Sequence, residues 1–543
     1  MSDHTADRGI AESDGAGYRR HDGDRVDGDG GSVGTADDDA FAILLDDDLR
    51  QAATFNHFLD SVDFRWRKGQ SRLQFLDCNV YCLESAEAET GKIALQRVLI
   101  ANRGEIALRV IRACRKAGLE TVAIHSEADI NSPHLWAADR SVCIGPAPAL
   151  QSYLNGNAIL HVAKATGCDA IHPGYGFLAE NAAFAAGCED NGITFIGPTA
   201  DSIRIMGDKA EARRTAMRLG VPVVPGSADS FVEPGAASDA VQSIGFPVLL
   251  KARSGGGGRG MRIVEDANAF DRLFQQATAE AAAAFGDGGV YLERYFSRVR
   301  HIEVQVLGDG QGDAVHLWER DCSTQRRHQK LVEEAFSPAL DAMSREAICA
   351  AAVNLTKGID YRGAGTVEFL YDSADGSFYF IEMNTRIQVE HPVTEMLTGV
   401  DLVGEQLRIA DGQGLAFDVP PEASGHAIEF RINAEDPARG FQPTPGRVEI
   451  WRPPSGLGIR LDSHVYPGYD VASFYDSLLG KLIVHGTDRA DALAKARLAL
   501  SRFRVEGVAT TIPFHLSLLD DPEFQAGDIH TGWVEAQGKD GSA

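Results

Sequence analysis

The sequence predicts a mixed α/β and α+β protein built in three parts and preceded by an acidic extension. Three observations carry this expectation. From Gln96 a short apolar run, Val98-Leu-Ile-Ala101, gives way to Asn102-Arg-Gly104 and then to a helical pattern through Ile106, Val110 and Ile111. Thr121–His125 follows as a strand, and strand, glycine turn, helix, strand is the pattern of a parallel α/β unit. In the middle of the chain, 301–306, 366–370 and 378–382 alternate polar and apolar residues, as antiparallel strands with one buried face do. From His426 onward, Gly and Pro punctuation predicts a smaller, mostly β domain.

The elements follow in order. Residues 1–50 hold 13 Asp, one Glu and five Arg, a net charge of −9. Such a segment buries too little apolar surface to offset its ordering entropy, so a largely disordered extension is expected over 1–94. Within it, Phe55, Phe58, Leu59, Val62, Phe64 and Trp66 suggest a short amphipathic helix whose pattern soon breaks. An N-terminal α/β domain is expected over 95–206, with further strands at Ala170–His172 and Thr194–Phe195. A second section, 207–415, contains strand-like Phe246–Lys251 and Gly289–Glu293, and a third spans 416–537. The third closes on an Ala-rich helix at about 489–502, with Leu493, Ala496 and Leu500 on one face.

Composition narrows the function. The net charge of −26 argues against non-specific binding to nucleic acid or an anionic membrane. No apolar run approaches the length of a membrane span, and no signal core or transit pattern opens the chain. The eight cysteines are scattered and read as reduced thiols of a cytoplasmic protein.

Four segments carry chemistry. Lys251-Ala-Arg-Ser-Gly255-Gly-Gly-Gly258 follows a strand. Its glycines leave backbone N–H groups free to close over phosphate oxygens, although a flexible linker would look the same. Glu368 with Glu382-Met-Asn384 offers oxygen ligands for a hard cation such as Mg²⁺, against the plainer reading of solvated strand carboxylates. Arg386-Ile-Gln388-Val-Glu390 would converge from an extended segment. The Arg fork suits a planar oxyacid and the carboxylate could serve as a base, with a structural ion pair as the alternative. Gln325-Arg-Arg-His328-Gln-Lys330 is a dense donor cluster that either meets nucleotide phosphates or forms a solvated basic face.

Taken together, these segments resemble the biotin carboxylase family of the ATP-grasp superfamily, from about Arg97 to Trp533. The most specific strings are Ile100–Ile106, Ile171–Asn181, Met206–Lys209, Glu319–Ser323, Gln325–Lys330, Phe380–Glu395 and Arg431–Asp436. The resemblance implies a doubly wound N-terminal domain, an ATP-grasp portion whose mobile glycine-loop lid spans about 223–295, and a β-rich C-terminal domain. It implies a C–N ligase. ATP and bicarbonate give carboxyphosphate, whose CO₂ passes to biotin on a separate carrier protein, as in acetyl-CoA, propionyl-CoA or pyruvate carboxylases and in fatty acid biosynthesis. It further implies carboxyltransferase partner subunits and a homodimer.

Residue by residue, the resemblance assigns the ATP phosphates to Lys209, Lys251, Gly257 and Gly258, and the adenine hinge to Glu293, Arg294, Tyr295 and Phe296. His301, Gln325 and His328 fall around the ribose and phosphates. Glu368, Glu382 and Asn384 take Mg²⁺ or Mn²⁺, with both glutamates beside ATP. Arg386, Gln388 and the Val389 backbone take bicarbonate, Glu390 is its base, and Arg431 stabilises the biotin enolate. The sequence departs from the family at Arg253, where a small residue is expected and bulk is expected to hinder lid closure, and at Phe296, where an aliphatic residue is common. Two competing readings are another ATP-grasp ligase acting through an acyl phosphate, and a catalytically weak ATP-binding assembly subunit. Arg431 and Arg386–Glu390 oppose the first, and only Arg253 supports the second.

Overall fold

A computed structural model describes residues 95–538, apart from Ala228 and 254–260. The acidic extension and the glycines Gly257 and Gly258 therefore lie outside the described residues.

The first layer is a five-stranded parallel sheet. Its strands are β1 (Arg97–Ile100), β2 (Glu120–Ser126), β3 (Arg140–Gly145), β4 (Ala170–His172) and β5 (Thr194–Phe195), ordered β3-β2-β1-β4-β5. Helix α1 (Gly104–Lys116) leaves β1 through Gly104, whose φ of +66° is a left-handed turn that glycine adopts without strain. The strand order reverses between β1 and β4, the place where doubly wound sheets open a crevice. There Asn102 Nδ2 donates to the carbonyls of Pro173 and Tyr175, each at 2.7 Å, tying the two loops together. Gly174 must be glycine: its φ is +63°, and a Cβ would stand 2.9 Å from Asn102 Nδ2.

Helix α2 (Lys209–Arg218) follows, capped by the Asp208 side chain at the amides of Ala210 and Glu211. A small unit then folds on its own core. It comprises the antiparallel strands β6 (Val248–Ala252), β7 (Met261–Val264) and β8 (Val290–Arg294), and helix α3 (Ala267–Phe285), around Phe270, Phe274 and Leu292.

The centre of the molecule is one eight-stranded antiparallel sheet. It contains β9 (Val299–Asp309), β10 (Ala314–Arg326), β11 (Gln329–Ala335), β12 (Arg362–Asp372), β13 (Phe378–Asn384), β14 (His426–Asn433), β15 (Ile459–Ser463) and β16 (Leu478–Gly486). Their order is β13-β12-β9-β10-β11-β14-β16-β15. The sheet runs straight through the position where the sequence suggests a new domain, because β11 pairs with β14 from Val332↔Phe430 to Ala335↔Ala427. An uncovered β11 would leave a row of unpaired backbone groups. Helix α4 (Ala342–Gly358) packs beside β9 and β10, and α5 (His391–Thr398) beside β10 and β14. The closing helix, α6 (Arg489–Arg502), covers β16 with Ala492, Ala496, Ala499 and Leu500.

One expectation is corrected. The alternation in β9 and β12 does not mark a solvent face: β9 is buried along nearly its whole length on both faces. Its polar face, His301, Glu303 and Gln305, is enclosed by ion pairs and hydrogen bonds. The six described cysteines form no disulfide, and no described helix is long and apolar enough to cross a membrane.

Candidate active site

The polar faces of β9, β10, β11 and β12 meet at Lys330. Its ammonium lies 2.6 Å from Glu303, 3.0 Å from Glu368 and 2.7 Å from Glu390. Burial disfavours that charge, but the three carboxylates outweigh it and hold Lys330 well above the usual lysine range. Arg320, fully buried, pairs with Glu303 at 2.5 Å and donates to Gln305, Thr394, Thr366 and Gln388. Arg431, on β14, donates from Nε to Glu333 at 2.6 Å and from Nη2 to Glu390 at 3.0 Å. Three cations thus close on a group of buried glutamates.

Glu390 sits between two of those cations. Burial alone would raise its carboxyl, yet Lys330 and Arg431 hold it far below the ordinary carboxylate range. It is ionised, with one oxygen held by Lys330 and the other by Arg431, and the same cations reduce its basicity. Glu333 is the opposite case. Burial pushes it up to about 7 despite Arg431, and Glu429 stands directly across the ladder from it.

Strand register brings together Glu368, Glu382 and Asn384, the residues expected to hold a cation. Glu368 faces Glu382 and Thr366 faces Asn384 across β12 and β13. Burial, and then the neighbouring Glu368 carboxylate, raise the Glu382 carboxyl, whereas Glu368 itself is paired with Lys330 and His301. A hard divalent cation would relieve that repulsion, so the donor set fits Mg²⁺ or Mn²⁺. Asn384 is turned otherwise: Nδ2 donates to Glu368 at 2.8 Å and Oδ1 accepts from Arg386 at 3.0 Å. His301 Nε2 lies 2.9 Å from Glu368, and Glu303 joins these two in a cluster of possible metal ligands.

The extended segment expected through Arg386–Glu390 is not formed. β13 stops at Asn384, and Glu390 is the N-cap of α5, whose first turn holds Pro392. Proline suits a helix's first turn and not a continuing strand. The segment bends, so Gln388 and Glu390 enter the cluster. Arg386 instead pairs with Glu180 of the N-terminal domain at 2.9 Å.

The nucleotide residues are more spread. Lys209 opens α2, and its charge acts on Glu382. Lys251, on β6, is paired with Glu293 on β8. In the expected hinge, Tyr295 N donates to Pro247 O at 3.0 Å and Arg294 lies over the Phe296 ring. Phe296 stacks on Tyr379 with ring centres 5.2 Å apart. Arg253 pairs with Asp287 at 2.7 Å, on the loop that precedes β8.

The donor cluster 325–330 splits. Gln325 points toward Thr531 O at 3.5 Å, and Arg326 lies over Phe441. Arg327 and His328 form an exposed turn, both with positive φ. Only Lys330 reaches the acidic centre. Glu303 and Arg320 received no role from the sequence, and Lys330 was read only as one member of the 325–330 donor cluster. For Glu303 the signal was spacing by two, which puts it on one strand face with His301.

Comparison with known proteins finds relatives over nearly the whole described part of the chain. Residues 94–203 match the family described as "Biotin carboxylase, N-terminal domain", and 429–536 match "Biotin carboxylase C-terminal domain". Residues 208–417 match "Carbamoyl-phosphate synthase L chain, ATP binding domain". Biotin carboxylase 1 of Bacillus subtilis is 52% identical over 444 residues, covering 81% of this chain and 98% of that protein. The biotin carboxylase of Pseudomonas aeruginosa is 53% identical over 443 residues, covering 81% and 98%. Among solved structures, a biotin carboxylase–β,γ-ATP complex from Campylobacter jejuni aligns with a TM-score of 0.77 at 45% identity, covering 82% of this chain and 99% of that one. The biotin carboxylase domain dimer of Hydrogenobacter thermophilus 2-oxoglutarate carboxylase, with MgADP, ADP and bicarbonate, aligns with a TM-score of 0.76 at 47% identity, covering 83% and 99%. With three-part architecture, cleft chemistry and relatives in agreement, the chain belongs to the biotin carboxylase family.

Proposed function

We propose that this cleft carboxylates protein-linked biotin with ATP and bicarbonate, the first half-reaction of a biotin-dependent carboxylase. The observation that carries the reading is the meeting of Lys330, Arg320 and Arg431 with Glu390 and Glu303, beside the facing pair Glu368 and Glu382.

In this reading Lys209, Lys251, Gly257 and Gly258 hold the ATP phosphates, and Glu293 to Phe296 receive adenine. His301, Gln325 and His328 line the ribose and phosphate path. Binding ATP must break the Lys251–Glu293 pair or share it. Glu368 and Glu382 hold Mg²⁺ or Mn²⁺, with Asn384 joining once its amide turns over. The cation would neutralise charge on the transferring phosphoryl group. Arg386, Gln388 and the Val389 backbone hold bicarbonate, and Glu390 takes its proton. The bicarbonate oxygen bonds to the γ-phosphorus, the bridging P–O bond breaks and ADP leaves.

Carboxyphosphate then yields CO₂ and phosphate. The ureido nitrogen of biotin gives its proton to the phosphate just released and takes the CO₂, while Arg431 stabilises the oxyanion on the ureido oxygen. A carrier protein would present the biotin, a carboxyltransferase would use the product, and the working unit would be a homodimer in the cytoplasm. The acceptor class is an acyl-CoA or a 2-oxo acid such as pyruvate.

The test is ATP hydrolysis by the purified chain with and without bicarbonate, and with and without free biotin. Hydrolysis that requires bicarbonate and rises with biotin is expected. Hydrolysis indifferent to bicarbonate would remove the reading.

A further inference from the structure

Residues 385–390 run irregularly between β13 and α5 and are pinned by side chains from all three parts of the molecule. Thr385 N donates to Glu180 at 3.0 Å. Gln388 is held between Arg320 and Glu368, each at 3.0 Å. Glu390 is held by Lys330 and Arg431. Val389, between them, has its carbonyl held at 2.8 Å by Nζ of Lys481, a fully buried residue of β16. The same ammonium lies 3.0 Å from Glu105 on α1, and Glu105 also accepts from the Tyr175 hydroxyl.

Lys481 is placed with more specificity than charge balance requires. Lys481 and Arg431 are cross-strand partners in register, so both leave the same face of the sheet. Neighbours in the sheet address neighbours in the loop: Arg431 takes the Glu390 carboxylate, and Lys481 takes the carbonyl just before it. Like charges side by side are unfavourable, and a buried ammonium is costly unless paired. The arrangement persists because Glu333, Glu390, Glu105 and Asp462 surround the two cations. The Val389 carbonyl and the Glu390 amide share one rigid plane, so fixing the carbonyl fixes the direction in which Glu390 leaves the chain.

We infer that Lys481, steadied by Glu105, is a positioning residue for the bicarbonate step, orienting the Val389–Glu390 peptide. It acts through the loop and not on the reacting atoms. The inference rests on the reaction proposed above, and it extends the machinery to a strand of the C-terminal domain and a helix of the N-terminal domain.

Lys481→Met keeps length and apolar volume but removes the donor. It is expected to raise KM for bicarbonate about tenfold or more, since misplacing a reacting group by about 1 Å costs up to ~100-fold. KM for ATP should stay within about twofold. Glu105→Gln, which loosens Lys481 without removing it, should shift bicarbonate KM in the same direction by a smaller factor. If Lys481→Met does not fold, Glu105→Gln decides the question. Parallel rises in both KM values, or a lowered melting temperature with unchanged KM values, would make Lys481 structural and overturn the inference. A wild-type chain lacking bicarbonate-dependent turnover would instead overturn the reaction reading.

Discussion

Glu390 shows how a residue's surroundings decide its chemistry. Its side chain is 2% exposed, and two cations keep it ionised without water. Glu390→Gln keeps the shape and removes the charge. The bicarbonate-dependent rate should fall by about 10²–10⁴, the usual worth of a positioned base. ATP affinity, measured by equilibrium binding, should be nearly unchanged, because Glu390 contacts Lys330 and Arg431 and not the residues assigned to nucleotide. A parallel loss of ATP affinity would make Glu390 a structural ion-pair partner. The residue types of this site were legible in the sequence, whereas their pairings were not. Arg386 looked like an anion fork, and only tertiary folding brings Glu180, 206 positions away, to its Nε. Arg253 was expected to hinder the lid, and its pairing with Asp287, 34 positions away, carried no sequence signal. An exposed pair of that kind contributes little stability.

At the scale of elements, local pattern carried far when packing followed it. The closing helix was legible because Leu493, Ala496 and Leu500 fall on one face of an Ala-rich run, and the structure adds an Asp488 cap at the Asp491 amide. Leu500 is 1% exposed within the C-terminal core, whereas Leu498 on the same helix is 50% exposed. Leu500→Ala should therefore destabilise by about 2–5 kcal/mol, and Leu498→Ala by less than about 0.5 kcal/mol. Denaturant melts of the two variants provide the check, and equal losses would contradict the packing described for α6. Pattern misled in β9 and β12. Alternation there was real, but the polar face looks into a buried network of ion pairs around Lys330 and not into water. A period of two reports which residues share a face and says nothing about what covers it.

At the scale of the whole molecule, ion pairs across the sheet join the central and C-terminal parts. Glu334 on β11 accepts two hydrogen bonds from Arg489 on α6, at 2.7 and 3.0 Å, and lies 2.9 Å from His426 Nε2 on β14. Burial would raise its carboxyl, but Arg489 and His426 outweigh burial and lower it to about 2. A carboxyl whose folded value lies below its unfolded one stabilises fully above the unfolded value, near 4.5. That contribution disappears as pH falls from there toward 2. A depression of this size corresponds to roughly 3 kcal/mol. Glu334→Gln should thus lower stability at neutral pH and flatten the loss between about pH 4.5 and 2. Unfolding free energy against pH for the two proteins measures this, and an acid limb identical to wild type would show that Glu334 is not a hinge of the assembly. The three-part architecture was legible in the sequence, because motifs occur in a fixed order. The continuity of the central sheet was not, since β11 and β14 lie about 90 residues apart and no local signal pairs them.

That separation sets a timetable for synthesis. During translation β11 emerges long before the strand that completes it. At about 5–20 residues per second, the intervening stretch takes roughly 5–20 s to appear, and β16 follows later still. Through that interval the nascent chain carries an open strand edge able to pair with any extended neighbour. The last-made quarter of the described chain, from His426 onward, therefore closes the edge that the part made before it leaves open.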